Sequence, residues 1–401
     1  MAETTTTRPV EAESVSASRR IMIFLIGASV TLFWTSLYLY VPTLPVYART
    51  RTQSLEMVGV ILSMYGLWQG LLRLPLGIAA DWLGKRKGFI LLGFGLSALG
   101  ALVMATAQDA NGLVVGRAIT GLAAATWVPL VVLFSGLFPP QETVRATAIL
   151  SVLNSLGCML GSSLNGSLNR LGGYPLAFFV AIGVAATASL VFLPVREPSL
   201  PRVKPSFNGT GALITRRDVL LPALLSATSQ YISWTTTFGF LPLLAKGLGA
   251  SGELNSLLVT INLALSLVGN LVTTAVVRRT GNIRLIYLSY VVMVAGIAIA
   301  ALAASIPAVV LAQVVIGLGN GIGYPLFMGM SIQKVDPAQR ATAMGLHQAV
   351  YSIGMFAGPW LSGILADAIG IQPMFGVTAG VVLVISLGLA RLLQRESRRS
   401  I

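Results

Sequence analysis

Twelve apolar segments follow one another along this sequence, and each is long enough to cross a lipid bilayer. About 20 apolar residues suffice for one helical crossing. Charged residues make up only 10% of the chain, whereas a soluble domain carries about 25%. We therefore expect an all-α membrane protein with twelve transmembrane helices, at residues 21–47, 55–80, 88–107, 112–136, 143–168, 175–195, 219–245, 254–277, 284–304, 308–331, 341–366 and 373–392.

Basic side chains are concentrated in one of the two alternating sets of loops. The net charge is +14, and outside the predicted helices only Arg49, Arg51, Arg170 and Lys246 lie in the other set. Lys and Arg accumulate on the cytoplasmic side of membrane proteins. Both termini are therefore expected in the cytoplasm, with the protein in the inner (plasma) membrane and its basic loops against anionic lipid. Nucleic acid is not an expected partner.

The second half of the sequence repeats landmarks of the first half in the same order. The matching positions, here called repeat equivalents, lie 195 to 197 residues apart and include Leu44-Pro45 with Leu241-Pro242, Glu56 with Glu253, Gly84 with Gly281, Gly121 with Gly317, and Gly166 with Gly363. This order indicates a six-helix unit duplicated in parallel. The predicted domains are a disordered cytoplasmic tail at 1–20, a six-helix bundle at 21–195, a cytoplasmic linker at 196–217, a second bundle at 218–392 and a cytoplasmic tail at 393–401.

A charged turn separates the second and third predicted helices, with the sequence Gly77-Ile-Ala-Ala-Asp-Trp-Leu-Gly-Lys-Arg-Lys87. It resembles the signature loop of the major facilitator superfamily, Gly-x-Leu-Ala-Asp-Arg-x-Gly-Arg-Lys, with Trp82 in place of the first arginine. The resemblance implies that this loop controls the cytoplasmic gate. The implied gate residues are Gly77, Asp81, Gly84, Lys85 and Arg86.

Two helical segments are similar to other motifs of that superfamily. Arg117-Ala-Ile-Thr120-Gly121 resembles its Arg-x-x-Gln-Gly motif, in which the arginine is linked to proton or substrate coupling. Gly354-x-x-x-Gly358-Pro359 resembles a motif of drug and proton antiporters. Over residues 21–392 the chain is identified as a member of the superfamily, most like the 12-helix drug or metabolite:proton antiporters. The implied fold is two pseudo-symmetric six-helix bundles around a site that opens alternately to either side.

Charges inside the predicted helices are expected to be functional, because burying them in a membrane is costly. Arg117 is the first candidate for coupling or substrate charge, and Arg73 is either a structural anchor or an anion contact. His347, the only histidine, titrates near neutral pH, and a packing role competes with a role in coupling. Every Asp and Glu maps to a helix end or a loop. A central carboxylate that alternates between cations and protons is therefore not expected.

Polar and aromatic stripes occur on the helices that line the cavity in this superfamily, the first, fourth, seventh and tenth. Anchoring at the membrane interface and hydrogen bonding between helices are the alternative roles for these side chains. A wide, aromatic, weakly polar cavity favours an amphipathic organic solute. The candidate cavity residues are Trp34, Tyr38, Thr120, Trp127, Gln230, Trp234, Gln313, Asn320 and Tyr324.

Several classes of enzyme and metal site find no support in the sequence. It contains neither a Gly-x-x-x-x-Gly-Lys-Ser/Thr loop for nucleotide phosphates nor a Gly-x-Ser-x-Gly elbow. One His and one Cys, Cys158, are too few for a usual zinc site or an intrachain disulfide. We expect no catalytic residue, no cofactor and no metal.

The expected function is secondary active transport by a monomer. An amphipathic small organic solute would cross the membrane by alternating access, with proton-coupled efflux. The first alternative is uptake or exchange of an organic anion, since two intramembrane arginines lack buried acidic partners. The second alternative is a membrane sensor or lipid scaffold that does not transport.

Overall fold

The computed structural model describes residues 9–139, 142–197, 210–336 and 339–399, and no β-strand occurs in these ranges. In the first half the long helices are α1 Pro9–Tyr38, α2 Leu55–Leu83, α3 Lys87–Thr106 and α4 Ala110–Ala125. The helical segment that follows, Thr143–Phe192, bends at Gly172 and Gly173. The part before this bend is α5 and the part after it is α6. In the second half the long helices are α7 Arg217–Thr235, α8 Gly252–Thr280, α9 Asn282–Ala301, α10 Ile306–Gln333, α11 Arg340–Ile369 and α12 Ile371–Arg399.

Three of these helices continue through shorter helical pieces after a break. α1 continues as Val41–Thr43 and Leu44–Arg49, α4 as Trp127–Ser135, and α7 as a π-helical turn, Thr236–Phe240, followed by Leu241–Gly247. Pro45, Pro129 and Pro242 lie near the start of the continuing pieces. Proline lacks the N–H that an α-helix needs and clashes with the preceding turn, which explains the breaks.

Each half contributes six membrane crossings, as predicted. Ten helices of the described chain are long and apolar enough to cross a membrane by length and composition. One of them, Arg145–Phe192, contains both α5 and α6, because Gly173 adopts a φ of 69° that ends the first helix. α7 with its continuation is the remaining crossing, and its Ser, Thr and Gln side chains make it less apolar than the ten.

The helices extend into the segments predicted as tails. α1 begins at Pro9 and α12 ends at Arg399, so the tails at 1–20 and 393–401 are helical where the structure describes them. Ala, Glu, Leu and Arg are frequent in these extensions and favour helix. Most of the predicted linker lies outside the described residues, and its last part contains the short helix Thr210–Thr215.

The antiparallel helices give the molecule two ends. The terminal end carries the start of α1, the turn between α2 and α3, and the end of α12. The distal end carries the turns between Arg49 and Leu55 and between Gly247 and Gly252. Each half has its own hydrophobic core, and the halves meet where α2 packs on α11 and α5 packs on α8.

Glycines let corresponding helices of the two halves approach in the same way. Gly157 of α5 lies against α1, where a Cβ would be 2.5 Å from the carbonyl oxygen of Thr31. Its repeat equivalent, Gly354 of α11, lies against the carbonyl group of Ala227 in α7. Small residues that bring backbones together are a common way to pack membrane helices. The duplicated sequence therefore packs as a duplicated structure.

Candidate functional site

A layer of aromatic rings lies between the two halves, near the middle of the molecule. Its rings, here called the aromatic layer, belong to Trp34, Tyr38, Tyr65, Trp127, Trp234 and Phe238. Tyr65 of the first half stacks on Trp234 of the second half, with ring centroids 5.1 Å apart and planes inclined by 21°. Tyr38 meets Phe238 edge to face at 5.9 Å. Both halves therefore build this layer together.

Arg117 of α4 lies against the aromatic layer. Its guanidinium carbon is 4.3 Å from the centroid of the Tyr65 ring and 5.7 Å from that of Trp234, and only 1% of the residue is exposed. Two of its nitrogens, Nε and Nη1, have no hydrogen-bond partner, and no described carboxylate forms an ion pair with it. Cation–π contacts of this kind stabilise by roughly 0.5–2 kcal/mol. The rings replace the acidic partner that a buried arginine usually has.

Arg73 of α2 lies closer to the terminal end and also meets the other half. It donates a hydrogen bond to the hydroxyl of Tyr351 in α11, and its guanidinium carbon is 5.6 Å from the centroid of that ring. The His347 ring is 6.0 Å from the Tyr351 ring, edge to face, and its Nδ1 is 2.7 Å from the hydroxyl of Ser331. Tyr351 therefore contacts both Arg73 and His347, the two other candidates for coupling or substrate charge.

The candidate polar residues of α10 belong to a buried hydrogen-bond network. Gln313 Oε1 accepts from the Thr237 hydroxyl at 3.0 Å and from Asn262 Nδ2 at 3.1 Å, while Gln313 Nε2 has no partner. Asn320 Oδ1 accepts from the hydroxyl of Ser229 at 2.9 Å. These bonds fasten α7 and α8 to α10 beside the aromatic layer.

The remaining cavity candidates are placed differently from one another. Gln230 and Tyr324 are partly exposed, whereas Thr120 is fully buried. The Thr120 hydroxyl donates to the carbonyl of Arg117 at 2.9 Å, and its methyl group packs against Gly100 of α3. Thr120 therefore packs helices together within the first half.

The turn between α2 and α3 lies at the terminal end. Gly84 ends α2 with a φ of 61°, a conformation that favours glycine. The backbone N–H groups of Arg86 and Lys87 donate to the carboxylate of Glu197, the latter at 3.0 Å, so the start of the linker is attached to the start of α3. Lys85 is exposed, and Gly77 approaches Val128 in the continuation of α4. The side chain of Asp81 lies outside the described residues.

A cavity of about 570 Å³ opens at the terminal end of the second half, away from the aromatic layer. Arg216 donates to both carboxylate oxygens of Asp218 beside it, at 3.1 and 2.6 Å. These hydrogen bonds hold the pKa of the Asp218 carboxyl below its usual value. Among the described residues, no group of His, Cys, Asp and Glu is placed to hold a metal ion.

Sequence reasoning missed Tyr65, Phe238, Tyr351 and Glu197. Tyr65 and Tyr351 lie on α2 and α11, which were not among the helices expected to line the cavity. Phe238 lies in the π turn, four residues after Trp234 and on the same continuing helix. Extending the spacing of the stripe on α7 by one turn would have included Phe238.

Comparison with known proteins identifies the family. The sequence model of the Major Facilitator Superfamily matches residues 23–229 and 223–400. The chain belongs to this superfamily. The motif-based expectation of its fold and family is thereby confirmed, and the protein is a multi-pass membrane transporter of a small solute.

Three similar proteins illustrate the range of this superfamily. The efflux pump azaK of Aspergillus niger is 33% identical over 178 residues, which span 41% of this chain and 38% of azaK. The inner membrane transport protein YajR of Escherichia coli is 24% identical over 348 residues, which span 85% of this chain and 75% of YajR. A bacterial homolog of the human lysosomal transporter Spinster, in an inward-facing and occupied conformation, has a TM-score of 0.79 at 16% identity and covers 97% of this chain and 98% of that chain.

Proposed function

We propose that this protein exports an amphipathic small organic solute across the inner membrane by alternating access of its two halves, driven by the proton gradient. The observation that carries the proposal is the aromatic layer, because its rings come from both halves and surround one buried cation. A solute held there would contact both halves at once. Its binding would then depend on how the halves are arranged, as alternating access requires.

Ring-bearing solutes suit this layer better than sugars or inorganic ions. Aromatic side chains offer large apolar faces, and offset or edge-to-face contacts with another ring add roughly 0.5–1.5 kcal/mol beyond the area buried. The polar groups that we assign to the solute site beside this layer are few, namely Gln230, Asn320 and Tyr324. A mostly apolar pocket with a few polar groups favours an amphipathic ligand.

The proposed coupling to protons uses no central carboxylate. Glu56, Glu253 and Asp367 lie at distal helix ends, and Glu197 and Asp218 lie at the terminal end. The proton carrier we propose is His347, whose Nε2 has no partner among the described residues and whose ring contacts Tyr351. Through Tyr351, a proton on His347 would be felt by Arg73, which joins the two halves.

The direction and orientation are proposed from two considerations. The basic loops at the terminal end favour a cytoplasmic location for both termini. Three of the similar proteins, azaK among them, are named efflux pumps. The gate at the terminal end is assigned to Gly77, Asp81, Gly84, Lys85 and Arg86, and Asp81→Asn is expected to fold normally but to reduce transport strongly. Lipid head groups are the expected neighbours of the basic loops, and the monomer is the proposed functional unit.

A second candidate function is uptake or exchange of an organic anion. It is favoured by Arg117, whose Nε and Nη1 atoms are buried without a hydrogen-bond partner. A carboxylate or phosphate oxygen would accept a charge-assisted hydrogen bond from either nitrogen. The two candidate functions predict solutes of different charge at the aromatic layer. One experiment can therefore distinguish export from anion exchange.

The experiment is flux into proteoliposomes under an imposed pH gradient, with aromatic solutes that are cationic, neutral or anionic. Trp234→Leu should lower flux about tenfold, since the ring contributes stacking and cation–π contacts. Trp360→Leu is the matched control, because among the described residues the Trp360 ring stacks on Phe356 alone, at 5.2 Å, and Trp360 is 37% exposed.

Each outcome of that experiment selects one function. Gradient-driven flux of neutral or cationic solutes that is lost only in Trp234→Leu supports the exporter. Flux of anions alone supports the second candidate. Binding of solutes without flux would show a sensor, and equal flux in the two tryptophan variants would contradict the assignment of the aromatic layer.

A further inference from the structure

Two crossings that are repeat equivalents of each other close the distal end between the halves. At the first, Gly166 of α5 lies against the backbone of Gly252 and Glu253 at the start of α8. At the second, Gly363 of α11 lies against the start of α2, where a Cβ would be 2.8 Å from the carbonyl oxygen of Leu55. We call these two crossings the distal seal. Because glycine allows backbone contact at both, each crossing is closed without a side chain between the helices.

One turn beyond each glycine, the distal seal carries charges of opposite sign at repeat-equivalent positions. On α5, Arg170 Nη1 lies 3.3 Å from Glu253 Oε1, and the two side chains are 69% and 38% exposed. On α11, Asp367 binds the other half directly, since Leu55 N donates to Oδ1 at 2.8 Å and the Ser54 hydroxyl donates to Oδ2 at 3.0 Å. The Asp367 carboxylate therefore lies at the N-terminus of α2, where N–H groups lack partners and negative charge is favoured.

We infer that Asp367 is the electrostatic latch of the distal seal and sets the population of the distal-closed state. The inference rests on the alternating access proposed above, in which the distal seal opens in every cycle. The contact joins α11 of one half to α2 of the other, so it exists only while the seal is closed. Ser54 also caps α2 by accepting from Met57 N at 3.1 Å, so α2 stays capped when Asp367 departs.

The other side of the distal seal is held by different chemistry. Arg170, Glu253 and Asp367 are all in contact with solvent. The ion pair contributes little to closure because two long side chains must be ordered to form it, whereas Asp367 accepts from a backbone N–H that α2 already holds in place. The stronger tie there is a buried hydrogen bond from the Ser256 hydroxyl to Asn165 Oδ1, at 3.1 Å. Asp367 is thus the one charged residue among those described that bonds across the distal seal to backbone of the other half.

The chain offers a matched control for Asp367. Asp109 also caps the N-terminus of a helix at the distal end, since Gly112 N donates to its Oδ1 at 2.9 Å. Asp109 and Gly112 belong to the same half, however, so this cap is present whether the seal is open or closed. Replacing either aspartate by alanine removes one carboxylate that accepts from an N–H group at a helix N-terminus, and only Asp367→Ala removes a contact between the halves.

The test measures how often the distal seal opens in the full-length protein, in lipid nanodiscs. In a Cys158→Ala background, spin labels at Leu171→Cys and Leu302→Cys report the distance between exposed distal positions of the two halves. In a second protein, Val259→Cys reports opening by its rate of reaction with a water-soluble maleimide, because Val259 of α8 is fully buried in the core of the first half. This rate follows the open population even when that population is small.

Asp367→Ala should raise the ratio of distal-open to distal-closed protein about fivefold, the value expected for a lost charged helix cap. The ratio for Asp367→Asn should lie between those of the parent and Asp367→Ala, because the amide oxygen of asparagine still accepts from Leu55 N but carries no charge. Asp109→Ala and Glu253→Gln should leave both readouts within about twofold of the parent. An unchanged ratio in Asp367→Ala, or an equal shift in Asp109→Ala, would overturn the latch.

The same data separate this inference from the function on which it rests. If the parent shows one distal distance with and without a transported solute and a pH gradient, alternating access itself is wrong. If the parent populates two distances and Asp367→Ala does not change their ratio, only the latch is wrong.

Discussion

Arg117 in the first half and Gln313 in the second half are repeat equivalents, yet they meet chemically different partners. The Arg117 guanidinium lies 4.3 Å from the centroid of the Tyr65 ring, whereas Gln313 accepts a hydrogen bond from Asn262 at 3.1 Å. Tyr65 and Asn262 are themselves repeat equivalents, 197 positions apart. The same pair of positions therefore holds a cation on a ring in one half and two amides in the other.

The backbone beneath these pairs is the same in both halves. Gly121 lies where a Cβ would be 2.6 Å from the carbonyl oxygen of Tyr65, and Gly317 lies where a Cβ would be 2.7 Å from that of Asn262. The helix packing has thus been kept while the side chains have diverged. The two amides form a hydrogen bond with each other and carry no charge, whereas a cation without an acidic partner can still bind a charged or polar group of a ligand. If the proposed function is right, we expect the charge-dependent step of transport in the first half.

The largest expected effect is on transport, and it should differ between the repeat equivalents Arg117 and Gln313. Arg117→Ala should lower transport efficiency about 30-fold, the value expected when one contact to a charged group is lost, while Gln313→Ala should change it only a few-fold. Arginine at membrane depth costs at least about 2.5 kcal/mol, so Arg117→Ala should fold as well as the parent. Flux in proteoliposomes and melting temperature in detergent measure the two quantities.

Arg117→Lys sharpens the same result. It keeps the charge and loses the planar fork, so partial function would indicate that charge alone matters, and full loss would indicate a forked contact to carboxylate or phosphate. Normal expression, affinity and flux in Arg117→Ala would instead reduce Arg117 to a structural residue.

The next effect tests the shared backbone. Gly121→Ala and Gly317→Ala should each destabilise the protein by about 2 kcal/mol, because a methyl group at either position would overlap a carbonyl oxygen. The two variants should lose similar amounts of unfolding free energy, because the helices pack in the same way at both positions. Chemical denaturation in detergent measures them, and Gly183→Ala is the control, since a Cβ there meets no atom within 4 Å. A large difference between Gly121→Ala and Gly317→Ala would show that the halves do not share this packing.

A smaller effect is expected from removing the second member of each pair. Tyr65→Leu should reduce transport about fivefold, equivalent to the loss of one cation–π contact of about 1 kcal/mol, whereas Tyr65→Phe keeps the ring and should transport normally. Asn262→Ala should lower stability by about 1 kcal/mol with little effect on flux. If Asn262→Ala lost as much transport as Tyr65→Leu, the two halves would not differ in the way proposed here.

The smallest effects are expected at Glu56 and Glu253, which are repeat equivalents at distal helix starts. Glu56→Gln and Glu253→Gln should leave gradient-driven flux within about twofold, since both side chains are in contact with solvent and screened. Should either variant lose proton coupling while it still binds solute, coupling would depend on a carboxylate, and the proposed role of His347 would be wrong.

Much of the architecture follows from local sequence patterns. Length and apolarity of a segment suffice to predict a crossing, since a membrane helix satisfies its own backbone hydrogen bonds. The duplication, the helical positions of Arg117 and Arg73, and the placement of acidic residues at helix ends were all apparent without coordinates. The predicted break between the fifth and sixth helices was likewise found, at Gly172 and Gly173.

The partners of the buried charges were decided by the tertiary structure. Arg73 bonds to Tyr351, 278 positions away, and Asp367 bonds to Leu55, 312 positions away. Residue spacing shows which side chains share a face of one helix, but not which helix that face meets or at what height. Those depend on where glycines let backbones cross, such as Gly363 on Leu55. How two helices cross depends on two segments that are far apart in the sequence. For this reason the rings that lie against Arg117 and the latch at Asp367 became visible only in the folded protein.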